Sequence, residues 1–342
     1  MTEKIHPVIM AGGRGTRFWP ASTRKRPKQF MELFPGGTMI QLTAGRFSDL
    51  ASSGDIMVVT GSEHRNTVLS QLPDMKKENL LLEPIGRNTA ACIGWAAETL
   101  RRRGCCKDIM VVAASDHLIE PVSGFESTVR KAVQLAEQDL LCTIGITPDH
   151  PATGYGYLQK GESISSGWKV SRFREKPDVA TAEKYLESGD FLWNSGMFVW
   201  KVDTFLEELK KHMPGLYRSL SEMDDTTEPS AEVYEALEAQ SVDYGVMEKT
   251  QRIVMVPAEF RWSDIGDWPG AKKAGVSKGE TISLDCRNNI VYDETGRLTV
   301  IVGVSGISVV STEDATLVMA DSDSQKIKEI VASLDREKPE LT

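Results

Sequence analysis

A chain of 342 residues, 40% hydrophobic and 26% charged, has an ordinary globular composition and is long enough for one large domain plus a smaller one. Its formal charge of −9 argues against a surface that wraps nucleic acid, and no apolar run approaches the ~18 residues that span a bilayer. The opening Met1-Thr2-Glu3-Lys4-Ile5-His6 carries no leader core, and Cys92, Cys105, Cys106, Cys142 and Cys286 show no C-x-x-C spacing. Reduced thiols in a cytoplasmic protein, without membrane attachment or a zinc site, are therefore expected.

Pro7-Val8-Ile9-Met10 reads as the first strand. It leads into Ala11-Gly12-Gly13-Arg14-Gly15-Thr16-Arg17-Phe18-Trp19-Pro20, with Pro27-Lys28-Gln29-Phe30 close behind. The three glycines let the backbone bend tightly and approach a ligand without Cβ clashes. The N–H groups of such a loop can cradle phosphate oxygens, and Arg14, Arg17 and Lys28 add positive charge. A strand, a glycine turn and three cations suggest a nucleoside triphosphate site; a tight turn with solvated arginines is the alternative. The Walker string is absent, and the dinucleotide fingerprint lacks its third glycine.

Strand and helix signals then alternate. Ile56–Thr60 reads as a strand, Glu63–Leu72 as a helix capped by Ser62, and Asn79–Leu82 as a short strand. A helix capped by Asn88 or Thr89 runs to Arg103 and stops at Gly104. Ile109–Ala113 is the next strand, Ser123–Gln138 a helix and Leu140–Gly145 a strand. This rhythm predicts a mostly parallel sheet covered by helices on both faces, with ligands outside the carboxyl ends of its strands. Val170–Arg174, Met197–Lys201 and Ile253–Pro257 read as further strands, Thr181–Ser188 and Val202–His212 as helices, and Met213–Gln240 as one acidic helical cover. From Thr281 the chain turns to short β segments (282–284, 290–292, 299–302, 307–310, 316–319) and a terminal helix over Ser324–Leu334. No repeat with a fixed period is visible. The tail reads as a small β unit packed on the main domain.

Asp116, in Ala114-Ser115-Asp116-His117, follows a strand. A carboxylate placed there beside a phosphate loop suits Mg²⁺, which prefers oxygen ligands; a turn or helix cap is the equal alternative. Trp262-Ser263-Asp264-Ile265-Gly266-Asp267-Trp268 adds two carboxylates. Asp264 with Asp116 would meet the needs of one ion, whereas Asp267 also suits the cap of a helix starting near Trp268. Glu83-Pro84-Ile85-Gly86-Arg87-Asn88-Thr89-Ala90 joins a carboxylate and an arginine to a helix start, as either a ligand loop or a cap with a surface arginine. Thr153-Gly154-Tyr155-Gly156-Tyr157 reads as a flexible aromatic loop and Phe173-Arg174-Glu175-Lys176-Pro177 as a strand end. Trp193-Asn194-Ser195-Gly196-Met197-Phe198 reads as a polar turn entering a strand. Asn and Glu beside an aromatic wall suit a carbohydrate, and a lysine suits its phosphate; a surface Glu175–Lys176 ion pair is the bland alternative.

In order, these strings resemble the sugar nucleotidyltransferases. Gly13-x-Gly15-Thr16-Arg17 followed by Pro27-Lys28 is similar to that family's signature. The mannose-1-phosphate branch is resembled in Phe18-Trp19-Pro20, Lys28-Gln29-Phe30, Glu83-Pro84, Arg87-Asn88-Thr89-Ala90, Ser115-Asp116-His117 and Gly154-Tyr155-Gly156-Tyr157. It is resembled again in Glu175-Lys176-Pro177, Trp193–Phe198, Asp243-Tyr244, Met247-Glu248-Lys249 and Trp262–Gly266. The tail strings Asp314–Val318 and Ile327–Val331 resemble it too. Ala21 and Arg26 depart from the pattern at positions remote from chemistry.

The resemblance implies a Rossmann-like, mixed, mainly parallel sheet, with a catalytic domain over 1–270 and a small β-rich domain over 280–342 that ends in a helix. It implies transfer of GMP from GTP to α-D-mannose 1-phosphate, giving GDP-mannose and pyrophosphate with the help of Mg²⁺. Gly12, Gly13, Gly15 and Thr16 would line the nucleotide loop, Arg17 and Lys28 would hold the triphosphate, and Asp116 and Asp264 would bind Mg²⁺. Glu83, Arg87 and Asn88 would lie near the nucleoside or the sugar. Glu175 and Asn194, with Gly156 close by, would meet sugar hydroxyls and Lys176 the sugar phosphate. A homodimer follows by analogy only. Other nucleotide or sugar substrates remain open. A non-catalytic regulatory subunit is disfavoured by the joint presence of Arg17, Lys28, Asp116 and Asp264, and a dehydrogenase by the failed fingerprint.

Overall fold

The computed structural model describes residues 4–342, so the first three residues of the opening segment lie outside the described residues. Two compact units form. Among the described residues, one comprises 4–12, Ala44–Ala114 and Ile119–Trp262; the other comprises Gly13–Thr43, Ser115–Leu118 and Ser263–Thr342.

In chain order the strands are β1 (Ile5–Ala11), β2 (Met57–Gly61), β3 (Leu80–Glu83), β4 (Ile109–Ala114), β5 (Leu118–Glu120), β6 (Leu141–Ile146), β7 (Tyr157–Ile164), β8 (Gly167–Arg174), β9 (Phe191–Lys201), β10 (Ile253–Pro257) and β11 (Arg261–Ser263). The helices along the same stretch are α1 (Met39–Gly45), α2 (Arg65–Gln71), α3 (Asn88–Arg102), α4 (Val122–Ala136), α5 (Val179–Ser188), α6 (Val202–His212), α7 (Pro214–Glu222) and α8 (Ala231–Glu235). The first unit holds a nine-stranded sheet in the order β3-β2-β1-β4-β9-β6-β10-β8-β7. Pairing is parallel through β3, β2, β1 and β4 and between β6 and β10. β9 enters antiparallel between β4 and β6, and β8 runs against β10 and β7. Every strand of this sheet but β8 and β9 therefore points the same way: mostly parallel, as the alternation predicts, and mixed, as the resemblance implies. The parallel run puts the carboxyl ends of β1, β3 and β4 (Ala11, Glu83 and Ala114) on one edge.

Burial on both faces explains the uninterrupted apolar runs. Val8, Met110 and Val112 share a core with Ala90, Ile93 and Ala97 of α3 and Phe205 and Leu209 of α6. α4 packs on β6, β9 and β10. Gly94 sits mid-helix in α3, where a Cβ would meet Leu220 Cδ1 at 2.7 Å, so its ~1 kcal/mol propensity cost permits close helix packing.

Several local expectations change. Ser62 opens a 3₁₀ turn and does not cap α2, and neither Asn88 nor Thr89 is the cap of α3, which Arg87 precedes without a side-chain cap bond. The 213–240 cover is broken into α7 and α8, because Pro229 cannot continue a helix and Ser230 caps a new one through Val233 N–H. Between them, Thr227 O accepts from Leu82 N at 2.8 Å, pairing the outer edge of β3. Trp193–Phe198 is not a turn: it lies inside the eleven-residue β9. Its polar triplet forms a bulge, with Gly196 at φ 71° and the β6 register shifting between Thr143 and Gly145.

The second unit continues with α9 (Trp268–Lys273), β12 (Thr281–Leu284), β13 (Ile290–Asp293), β14 (Thr299–Val302), β15 (Ile307–Ser311), β16 (Thr316–Ala320) and α10 (Ile327–Glu337). Phe18, Trp19, Ile265, Trp268, Tyr292, Val310, Ile327 and Val331 form its core. β12 pairs in parallel with β14, Thr281 facing Thr299, and β13 with β15, Ile290 facing Ser308. The offset is the same both times, so the chain winds as a coil. A period traversed so few times leaves no visible repeat in the sequence. β16 closes the coil antiparallel to β15.

Candidate functional site

In the second unit, the glycine loop is shaped by its carbonyls. Gly13 O accepts from Gln29 Nε2 at 3.3 Å, Arg14 O from Ser22 Oγ at 3.0 Å and Gly15 O from Phe18 N at 2.8 Å. None of these bonds uses the N–H groups of Gly13, Arg14, Gly15 or Thr16. Gly13 and Gly15 adopt φ of 95° and 58°. At Gly15 glycine is also needed sterically, since a Cβ would lie 2.9 Å from both Lys28 Cβ and Ser22 Oγ. Thr16 opens a single 3₁₀ turn over Thr16–Phe18.

Lys28 is 3% exposed, and its ammonium needs partners there. Nζ donates to Asp116 Oδ2 at 3.0 Å and to Asp264 backbone O at 2.6 Å, and lies 5.4 Å from the Phe18 ring centroid. Burial pushes the Asp116 carboxyl up, but the charges of Lys28 and His117 and the Lys28 bond hold it below its usual range. The Asp116 carboxylate and the Asp264 backbone carbonyl, far apart in sequence, thus converge on one ammonium. Their oxygens are the hard donors that suit Mg²⁺. Asp267 is otherwise engaged: Oδ1 accepts from Gly270 N at 2.9 Å as the cap of α9, and Oδ2 accepts from Ser324 Oγ at 2.8 Å. The arginines face the tail. Arg14 makes a two-pronged pair with Asp335 at 2.8 and 2.9 Å, and half-buried Arg17 donates from Nε to Gln325 Oε1 at 2.9 Å.

In the first unit, Gly12 ends the β1 segment and is exposed. Two groups of the expected residues form. In one, buried Glu83 accepts from Tyr234 OH at 2.7 Å, and burial raises its carboxyl above the usual range. Arg87 donates to Leu237 O from Nε at 2.9 Å and from Nη2 at 2.6 Å, and Thr89 Oγ1 accepts from Val242 N at 2.9 Å. Glu83 and Arg87 thus brace the 234–242 segment, while Asn88 stays exposed at φ 66° with Oδ1 on Thr89 N.

In the other group, Asn194 N donates to Gly156 O at 2.8 Å and its Oδ1 accepts from Thr143 Oγ1 at 2.9 Å. Its Nδ2 donates to Asp243 Oδ1 at 2.8 Å. A Cβ on Gly156 would collide with the Glu175 carboxylate, whose Oε1 pairs with Lys176 Nζ at 3.0 Å. Lys176 is 58% exposed and has φ 44°. Sequence reasoning misses Asp243 as a site residue, although Asp243-Tyr244 is among the matching strings. Burial and the Glu175 charge push its carboxyl up to about 6, against the Asn194 bond and Lys176. Trp193, by contrast, is core: it packs at 5.1 Å on Tyr155 and is 4% exposed.

Residues 6–276 match the family described as nucleotidyl transferase, and residues 279–334 match the mannose-phosphate isomerase/GMP-like β-helix domain. The chain is 38% identical over 355 residues to the mannose-1-phosphate guanylyltransferase of Escherichia coli K12, covering 97% of this chain and 74% of that protein. It is 38% identical over 346 residues to the xanthan biosynthesis protein XanB of Xanthomonas campestris pv. campestris B100, covering 96% and 73%. Among solved structures, a protein named mannose-1-phosphate geranyltransferase from Thermus thermophilus superposes with a TM-score of 0.88 at 28% identity, covering 97% of this chain and 99% of that one.

Proposed function

Since the chain belongs to the mannose-1-phosphate guanylyltransferases of the nucleotidyl transferase family, we propose that it transfers GMP from GTP to α-D-mannose 1-phosphate, releasing pyrophosphate and forming GDP-mannose. An oxygen of the sugar phosphate attacks the α-phosphorus in line. That oxygen is already anionic near neutral pH, so no strong base is needed. The obstacle is the repulsion of two polyanions. Lys28 and Arg17 offset it on the triphosphate, where the N–H groups of Gly13–Thr16 add donors. Asp116 and Asp264 would hold Mg²⁺, which when bound neutralises phosphate charge. Glu175 and Asn194 hold the sugar hydroxyls, with Asp243 fixing the Asn194 amide, and Lys176 meets the sugar phosphate.

The observation that carries the reading is Lys28, buried with Nζ donating to the Asp116 carboxylate and to the Asp264 carbonyl. Pyrophosphate release from GTP and mannose 1-phosphate with Mg²⁺, run beside ATP, UTP and glucose 1-phosphate, tests it; faster turnover of another pair overturns the substrate assignment. No helix among the described residues is long and apolar enough to cross a membrane. We further propose a cytoplasmic homodimer without nucleic-acid partners, in keeping with the net charge of −9; sedimentation tests the dimer.

A further inference from the structure

His6, Cys105 and Asp108 offer ligand atoms that all lie within 4.8 Å of one another. They sit at the amino end of β1 and in the turn between α3 and β4, at the end of β1 opposite Ala11. The mechanism above uses none of them. His6 is buried, and its Nε2 lies 2.8 Å from Asp108 Oδ2. Both sides of the turn are fixed by backbone bonds. Cys105 N donates to Leu100 O at 3.0 Å, Asp108 N to Cys105 O at 3.1 Å, Ile109 N to Lys4 O at 2.8 Å and Val202 N to Asp108 O at 3.1 Å.

We propose that His6, Cys105 and Asp108 form a Zn²⁺ site with water in the fourth position. An imidazole, a thiolate and a carboxylate are the donor types zinc takes, and three protein ligands leave one open position. Zinc bonds of about 2.0–2.3 Å place tetrahedral ligand atoms roughly 3–4 Å apart. The present separations, up to 4.8 Å, must shorten for all three to bind one ion. The nearby cations face other acceptors: Lys4 Nζ pairs with Asp55 at 2.6 Å, and Arg103 donates to Asn79 Oδ1 at 2.6 Å. Zinc takes cysteine as the thiolate, so binding releases the Cys105 proton to solvent and exchanges the His6–Asp108 bond for two metal bonds. The ion ties the start of β1 to the start of β4, and a ligand held only by the folded chain raises its stability. No sequence spacing reveals this set, because a strand and a distant turn supply it.

Cobalt(II) serves as the probe on the intact protein. Titration is expected to give a thiolate-to-cobalt charge-transfer band saturating at one equivalent, which Zn²⁺ then displaces. Cys105→Ser and Asp108→Asn should each weaken binding roughly 100-fold or more, while Cys106→Ser and Asp264→Asn keep the band. Each variant is read beside a melting curve, so that loss of the band is scored only in folded protein. Cobalt bound at Asp116 and Asp264 has oxygen ligands and gives no thiolate band. An oxygen-only spectrum, no binding, or a band insensitive to Cys105→Ser overturns the site.

Discussion

The two units handle buried charge in opposite ways. In the second, the Lys28 ammonium is matched by the Asp116 carboxylate and the Asp264 carbonyl, and the resulting pull keeps Asp116 ionised. In the first, Glu175 and Asp243 crowd together beside Lys176, which is mostly solvated, and Asp243 is pushed toward its neutral form. A compensated pair is a preassembled anchor, and deleting one member strands the other. A group of acids short of donors is instead improved by a ligand rich in hydroxyls. The contrast is between a group that is complete without a ligand and one that is not.

Lys28→Ala breaks the compensated side most severely. It removes the cation and leaves Asp116 without its partner. By analogy with removal of one transition-state donor, kcat should fall about 100- to 1,000-fold. Pyrophosphate release by the folded variant checks this, and near-wild-type turnover would remove Lys28 from the mechanism. Gly15→Ala acts on the same anchor through the backbone. Alanine at φ 58° with its Cβ 2.9 Å from Lys28 Cβ should cost about 1–3 kcal/mol, seen as a lower melting temperature together with weaker GTP binding.

Much of this anchor is legible in the sequence, because a glycine turn after a strand is a local signal. The convergence of Asp116 and Asp264 on Lys28 is not local, and only the matching strings point to it. Asp243 escapes for the same reason: its partner Asn194 lies in β9, whose Asn194-Ser195-Gly196 reads as a turn until the bulge against β6 is seen. The bracing of the 234–242 segment by Glu83 and Arg87 is likewise hidden, since a carboxylate and an arginine before a helix fit a ligand loop equally well.

Asp243 sharpens the other side of the comparison through pH. Its folded-state pKa of about 6 exceeds the ordinary 3.8, so the folded chain holds this proton more tightly than the unfolded one. The stability it contributes is full below 3.8, declines as pH rises and is gone above about 6. Asp243→Asn should remove that slope from the melting midpoint while keeping a polar partner for the Asn194 amide. An unchanged slope would assign the pH dependence to other groups. Above pH 6 the same variant lacks the repulsion from Glu175, so its midpoint should equal or exceed the wild type.

The smallest expected effect separates two neighbours in the glycine loop. Arg14 is 44% exposed and already engaged in both prongs of its pair with Asp335, which Arg24 also contacts at 2.9 Å. Its charge serves as a tether to α10 rather than as a phosphate ligand. Exposed ion pairs are worth little after solvent screening, so Arg14→Gln should cost only about a few tenths of a kcal/mol and leave kcat near wild type. Arg17 has a neutral partner in Gln325, a bond an incoming phosphate can replace without stranding a charge. Arg17→Gln should therefore raise the KM for GTP and lower kcat where Arg14→Gln does neither. Equal losses in the two variants would mean that the loop arginines act together and that the tail pairing does not distinguish them.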